Sequence, residues 1–324
     1  MEILFNSILK DEMASFVEFI KLDNNHSKTV RAYQHTLSEF DSFLCMERLA
    51  EKKLQADRIK YWLDGFHTHI STKKSKLSRL KRFAKYLSTI GIPASLPELP
   101  KGTTDFKPYV FTPDEMLQIF ELADDLILTN PNSRTAAELP MLLRLLYGCG
   151  LRLGEATSLT WDDIDLSIGV ITVKAAKYKK QRKVPMSEEL SRILKLYQSA
   201  PCFEMQEHGL LFKTKEGRKR TAGTYGHVFT RILCELSIRN PQTVKRSARG
   251  PCLHSLRHTF TLHSLMKAES KGRGFMETVP FLSTYLGHVG LMETDKYLKA
   301  RHELYTGAHT AIADYTCDIF PGEV

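Results

Sequence analysis

Cysteine is sparse in this chain and forms no pattern. The six thiols, Cys45, Cys149, Cys202, Cys234, Cys252 and Cys317, stand at unrelated intervals, which excludes a disulfide framework and reads as reduced cytoplasmic thiols. Long apolar runs are missing too. Stretches such as "MLLRLLYGCGL" are too short and too interrupted to span a bilayer, and no segment reads as a signal peptide, so the expectation is a soluble cytoplasmic protein with no membrane partner. Internal repeats and low-complexity tracts are also absent. One local absence is more specific: residues 71–86, "STKKSKLSRLKRFAKY", contain no acidic residue. The whole chain carries 46 Lys and Arg against 37 Asp and Glu, a formal net charge of +9 that favours a polyanionic partner without naming it.

At 324 residues the chain is long for one domain and sufficient for two, each with its own core. Proline marks the seam. Pro93, Pro97, Pro100, Pro108 and Pro113 crowd residues 91–113, a density that neither continues a helix nor pairs as a central strand. We therefore divide the sequence into a helical domain over 1–102, a linker over 103–112 and a second domain over 113–324. In the first domain the apolar residues fall at helical intervals: Phe16, Phe19 and Ile20; Tyr33, Leu37, Phe40 and Leu44; Ile59 to Leu63; Leu77, Leu80, Phe83, Ala84 and Leu87. That predicts four helices. The second domain opens on a helix with Thr112 as N-cap and Pro113 at its first position. Within it, "GVITVKAA" breaks the helical period and predicts a strand, with "KVPM" as its partner and the basic "KYKKQR" as the turn between them. The fold class expected is mainly α, with a small β hairpin in the second domain.

The basic tract at 71–86 keeps a helical apolar stripe through Leu77, Leu80, Phe83 and Leu87, so one face packs while the rest carries charge. A solvated helix face normally interleaves both signs. Lys73, Lys74, Lys76, Arg79, Lys81 and Arg82 are therefore expected to contact nucleic-acid phosphates. Further basic clusters lie at 177–183, including Lys179 and Lys180, and at 213–220.

"LHSLRHTF", residues 253–260, spaces His254, Arg257 and His258 by three and four, which places them on one face of a helix anchored by Leu253, Leu256 and Phe260. A guanidinium offers two oxygens of a phosphate a planar fork of donors, and an imidazole beside it adds a donor that also exchanges a proton. Cys252, His254, His258 and His263 have the side chains of a metal site, but a cationic Arg257 among them opposes a metal ion, so no metal is expected. His258, one step nearer Phe260, reads as the more structural of the two histidines. A second arginine stands out in "YGCGLRLGEATSLTWDDID". Arg152 follows the glycines that end one helix and precedes another helix running through Leu159 and Trp161. The positive end of that helix disfavours a cation, so either function or an ion pair with Glu155 holds Arg152 there.

"GLRLGEATSLTWDDID", a hairpin lysine, "HSLRHTF", "YLGH" and a tyrosine nine positions beyond His288 together resemble the tyrosine recombinases, the phage-integrase-like site-specific recombinases. Five motifs in the right order make the resemblance specific, and it covers both domains. It implies an N-terminal core-binding domain and a catalytic domain, and an enzyme that breaks and rejoins DNA through a 3′-phosphotyrosyl intermediate and a Holliday junction. By the same resemblance, Arg152 and Arg257 clamp the scissile phosphate and His254 shares that task and takes the proton of the nucleophile. His288 donates to a phosphate oxygen, Lys177 protonates the leaving 5′ oxygen, Tyr297 attacks, and Glu155 orients the first arginine. Tyr178 stands where the family commonly has glycine, which leaves the hairpin lysine open among Lys174, Lys177 and Lys179. Tyr285 reads as core, and Tyr305 and Tyr315 lie beyond the expected position.

Each implied step exchanges one phosphodiester for another, so no cofactor is expected, neither ATP nor a metal. The implied partner is double-stranded DNA with paired recombination sites, bound by a homotetramer assembled from monomers. Beyond Tyr297, Ala308, Ile312, Tyr315 and Ile319 form one apolar helical stripe, which folds on its own chain or docks on a neighbouring protomer. Two other readings use the same features differently. A type IB topoisomerase would act on one duplex with nearly the same residues, and a non-catalytic DNA-binding protein would keep the basic patches without needing the catalytic set.

Overall fold

The computed structural model describes residues 4–23, 27–48, 51–98, 108–174, 181–199, 209–240 and 250–287. The chain divides into two compact units, Met1–Phe106 and Lys107–Val324, each with its own apolar core.

The first unit holds α1 (Lys10–Leu22), α2 (Ser27–Met46), α3 (Ala56–Asp64) and α4 (Ile70–Thr89). The residues expected to pack do so: Phe16, Ile20, Phe40, Ile59, Leu80, Phe83 and Leu87 are fully buried. Phe19 is half-exposed, its ring set against Phe16 and Tyr86 at the edge of the core. Asp41, a buried carboxylate on α2, accepts the backbone N–H groups of Asn6 at 2.8 Å and Ser7 at 2.9 Å, which ties the segment before α1 to α2. The proline-rich tract does not begin as free linker. Leu54 N–H donates to Pro93 O at 2.9 Å and Ser95 N–H to Leu54 O at 2.8 Å, and Ile92, Ala94 and Leu96 pack on this core.

The second unit contains α5 (Pro113–Thr129), α6 (Arg134–Gly148), α7 (Leu153–Ala156), a 3-10 turn (Trp161–Asp163), β1 (Ile164–Asp165), β2 (Val170–Lys174), β3 (Gln181–Pro185), α8 (Glu188–Gln198), α9 (Ala222–Glu235), α10 (Leu253–Ser270) and α11 (Phe275–Leu286). The expected cap is present: Thr112 and Glu115 exchange side-chain and backbone bonds at 2.8 and 3.2 Å ahead of Pro113. Residues 108–112, inside the tract read as linker, belong to this unit's packing. Phe111 is fully buried and its N–H donates to Thr259 Oγ1 at 3.0 Å.

α6 forms the centre, apolar on nearly every side, and packs against α5, α7, α8, α9 and α10. β1, β2 and β3 form an antiparallel sheet in that order, with Ile171 opposite Val184 and Val173 opposite Arg182. The period of two turns Ile171, Val173 and Val184 into the core and leaves Lys174, Gln181 and Lys183 outside. The helix expected to run through Leu159 and Trp161 stops at Ala156. There the backbone turns to pair with the segment at 209–211, Leu211 N–H to Leu159 O at 2.9 Å and Trp161 N–H to Gly209 O at 3.0 Å.

Between α6 and α7 the chain passes very close to α10. Gly150 has φ +58°, and a Cβ there would lie 2.4 Å from the Phe260 ring. Gly150→Ala combines left-handed strain with an overpacked core, so it is expected to destabilise the protein by about 2–4 kcal/mol. Thermal melting of the full chain checks this, and an unchanged melting temperature would contradict the close packing of this turn.

Candidate active site

The short helix α7 is built around its first residue. Arg152 is the N-cap, and Glu155 at the third helical position returns Oε2 to the Arg152 N–H at 2.9 Å and Oε1 to Arg152 Nη1 at 3.0 Å. The carboxylate complements the positive end of the helix and also pairs with the cation beside it. An ion pair thus holds Arg152, one of the two causes the sequence allows.

A second arginine reaches the same carboxylate from the sheet. Arg182 lies on β3 two residues before Val184, so the strand period turns it inward. Its Nη1 and Nη2 grip Glu155 Oε1 at 3.0 Å and Oε2 at 2.8 Å, and its Nε donates to Tyr285 O at 2.9 Å. Sequence reasoning missed Arg182 because it closes "KYKKQR", a basic run read as turn, whereas the strand already begins at Gln181. Its alternation with Val184 was the signal that separates it from Lys183.

The third arginine is Arg257. It shares a helix face with His254 and His258 as expected, but α10 is enclosed on almost every side, and Arg257 is only 2% exposed. Its Nη1 donates to Gly150 O at 2.5 Å and its Nη2 to Leu286 O at 2.7 Å, and Glu155 Oε2 lies 4.0 Å away. Arg152 reaches the same helix end, Nη2 to Gly287 O at 3.1 Å. With Arg182 on Tyr285 O, the last carbonyls at the end of α11, which carry the negative end of the helix dipole, are thereby capped by three guanidinium groups. Gly287, at φ +66°, is the left-handed cap that ends α11 one residue before His288.

Burial alone would raise the Glu155 carboxyl, but the hydrogen bonds and charge of Arg182 and Arg152 outweigh it and hold the group at about 2. Three permanent cations around one permanent anion leave the cluster with a net +2, a site suited to a phosphodiester and to the further charge of its transition state. His254 is exposed at the start of α10, its ring 4.6 Å from that of half-buried His258 in an edge-to-face arrangement. His263 faces away from the cluster's chemistry: it is buried on Tyr147 Oη at 2.9 Å, and burial lowers it to about 4. Tyr285 packs against the core with its ring stacked on Phe260, and burial pushes its hydroxyl well above the ordinary range.

The structure thus brings together Arg152, Glu155 and Arg257. Lys177, Lys179, Lys180, His288 and Tyr297 lie outside the described residues, as does the tail stripe from Ala308 to Ile319. Of the alternative hairpin lysines, Lys174 is described, and its ammonium pairs with the buried carboxylate of Asp163. Among the described residues, no cluster of His, Cys, Asp and Glu suits a metal ion, and no helix is long and apolar enough to cross a membrane.

In the first unit the basic helix α4 divides by face. Lys76, expected on the phosphate-contacting surface, is instead buried: its ammonium pairs with Glu39 and sits 3.8 Å from the centre of the Phe66 ring. Arg82 pairs with Asp23, and Arg79 donates to Thr36 Oγ1 at 3.1 Å. Lys73 and Lys74 are half-exposed, and Lys81 and Lys85 are exposed. Lys74, Ser78, Lys81 and Lys85 share one outer face by helical spacing. Next to it runs an open groove between α2 and α4, lined by Lys28, Thr29, Tyr33, Lys74, Ser78 and Arg79.

Residues 109–303, more than half of the chain, match the model of the phage integrase family. The tyrosine recombinase XerC of Bacillus subtilis (strain 168) is 28% identical over 311 residues, covering 91% of this chain and 94% of that protein. A putative integrase/recombinase, y4rB, of Sinorhizobium fredii (strain NBRC 101917 / NGR234) is 28% identical over 243 residues, 71% of this chain and 74% of its own. Among solved structures, a lambda integrase dimer bound to a core site aligns with TM-score 0.65 at 16% identity, over 88% of this chain and 96% of that one. The Tn1549 transposon integrase in complex with a circular intermediate DNA aligns with TM-score 0.60 at 18% identity, over 91% and 98%. These likenesses agree with the mainly helical fold and its small sheet.

The depressed Glu155 carboxyl makes the cluster sensitive to acid. A group held below its ordinary value of 4.5 contributes stability that is complete above that pH and is lost as pH falls toward about 2. Glu155→Gln is therefore expected to cost about 3 kcal/mol at pH 7, and the gap between the variant and the unaltered chain should close as pH falls from about 5 to 2. Denaturant unfolding of both proteins across that range checks it. A gap independent of pH would contradict the pairing.

Proposed function

The chain belongs to the phage integrase family, the tyrosine recombinases, and from that premise we propose that it cuts and rejoins DNA by transesterification with Tyr297 as nucleophile. The observation that carries this reading is the convergence of Arg152 and Arg257 on Glu155 and on the end of α11, the helix that leads directly into His288. Guanidinium groups held in place by a carboxylate and by backbone carbonyls are planar donors suited to the oxygens of a tetrahedral anion.

In the cleavage step, the phenolic oxygen of Tyr297 attacks the scissile phosphorus and the bond to the 5′ oxygen breaks. His254 takes the phenolic proton, and Lys177 gives a proton to the departing 5′ oxygen. Arg152, Arg257 and His288 bind the non-bridging oxygens as charge builds on them. The product is a 3′-phosphotyrosyl ester and a free 5′-hydroxyl. A 5′-hydroxyl from the second duplex then attacks that ester and releases Tyr297, and one such exchange on each duplex passes through a Holliday junction. Since every step trades one phosphoester for another, the reaction calls for no energy source beyond the bond it opens. A homotetramer on two paired sites supplies four such centres, with the stripe at Ala308, Ile312, Tyr315 and Ile319 docking between protomers. The lambda integrase tetramer bound to a Holliday junction, TM-score 0.63 at 17% identity over 88% of this chain and 78% of that one, supports this assembly.

The first unit contributes binding. The outer face of α4 with Lys74, Lys81 and Lys85 and the groove beside it contact backbone phosphates, positioning the duplex without reading its sequence.

Two measurements test the proposal. A pool of nicked duplexes with random sequence at the nick is incubated with the chain, and covalent adducts are recovered after denaturation and sequenced. The unaltered chain is expected to capture a defined duplex, whereas Tyr297→Phe should bind that duplex and yield no adduct. An adduct on the variant would move the nucleophile elsewhere, Tyr305 being the next candidate. On the same duplex, changing Lys74, Lys81 and Lys85 to Gln should flatten the salt dependence of affinity by about one unit of slope per lysine, whereas Lys76→Met should leave the slope unchanged. Equal slopes for both proteins would remove α4 from the DNA interface.

A further inference from the structure

Arg182 is not among the residues to which the proposed chemistry gives a task, yet it occupies the centre of the cluster. Its side chain is 15% exposed, and three hydrogen bonds from it go to two different parts of the fold. Two of them hold both oxygens of Glu155, the acid that in turn holds the Arg152 backbone and guanidinium. The third holds Tyr285 O in the last turn of α11. The contact with α11 extends to Gly287, where an added Cβ would meet Arg182 Nη1 at 3.0 Å and Cδ at 3.3 Å. A contact that tight, together with φ at +66°, favours glycine, and the residue after it is His288. On its own strand Arg182 is the second residue past the segment 175–180, which carries Lys177.

The structure assigns Arg182 as a positioning residue for the cleavage step, one that acts through Glu155 to orient Arg152 and through Tyr285 O to hold the end of α11. The inference rests on the recombinase reading above. Geometry accounts for the choice of arginine. Filling both carboxylate oxygens while also donating sideways to a carbonyl takes a planar fork and a separate Nε–H, which lysine does not have. If Arg182 were a plain structural charge, lysine would replace it. If it positions, lysine keeps the charge and loses the orientation.

The test is single-turnover cleavage, at saturating protein, of the nicked duplex captured from the random pool by the unaltered chain. Arg182→Gln is expected to lower the cleavage rate constant by about 100-fold, the scale of a small misplacement of reacting groups. Arg182→Lys should lower it by at least tenfold while keeping duplex affinity and melting temperature close to those of the unaltered chain. In a double-mutant cycle with Glu155→Gln, the combined variant should be no slower than the slower single variant, since the two residues act as one unit. Full activity of Arg182→Lys would overturn the inference, as would losses that multiply in the double variant. Should Arg182→Gln fold poorly, Arg182→Lys and the cycle built on it still decide the matter. Failure of the unaltered chain to capture any duplex would instead remove the recombinase reading itself.

Discussion

One carboxylate organises the second unit's chemistry. Glu155 is 12% exposed as a side chain and takes hydrogen bonds from two arginines on either side of it, with a third at 4.0 Å. A buried carboxylate without partners would protonate or unfold its surroundings, and three guanidinium groups without an anion would repel one another. Neither is stable alone. Together they form a cluster whose members come from α7, β3 and α10, elements far apart in sequence, and the cluster fixes their relation more closely than apolar packing would.

That arrangement depends on two glycines. Gly150 and Gly287 both adopt left-handed backbone, and both offer a carbonyl to an arginine, Gly150 to Arg257 and Gly287 to Arg152. At each the missing side chain is what lets a neighbour come close, the Phe260 ring at one and the Arg182 guanidinium at the other. The arginines therefore sit on backbone carbonyls as well as on the Glu155 side chain, and backbone held by flanking helices moves less. A site that must meet a phosphate with fixed donors gains most from supports of that kind.

Much of this was legible in the sequence, and what was not had a consistent cause. The helical periods of α1 to α4, the Thr112 cap and the β2–β3 pairing follow from local spacing, because each is decided by residues a few positions apart. Arg152, Glu155 and Arg257 were recognisable from motif, although the enclosure of Arg257 was not, since "LHSLRHTF" carries a clear apolar stripe and says nothing of what covers the opposite face. The early end of α7 was hidden for a similar reason: its stop comes from pairing with residues 209–211, some fifty positions away. Arg182 and Lys76 failed together. Each stands in a run of like charges, and a run reads as one solvated patch until the period of its own strand or helix is applied.

The two runs then separate composition from availability. In α4, seven cations over residues 71–86 include Lys76, spent on Glu39 and the Phe66 ring, and Arg82, spent on Asp23. In β3, Lys183 faces out while Arg182, one residue before it, is fully engaged inside. Net charge draws a polyanion toward the protein over a Debye length and is blind to which groups supply it. Contact is not blind: a cation already desolvated and paired gains little from a phosphate, whereas one held half in water on an outer face releases a counterion when it binds. The same residue type thus does opposite work one helical turn apart. Inward cations build the surface, and on the proposed reading outward ones such as Lys81 and Lys85 are those a duplex meets.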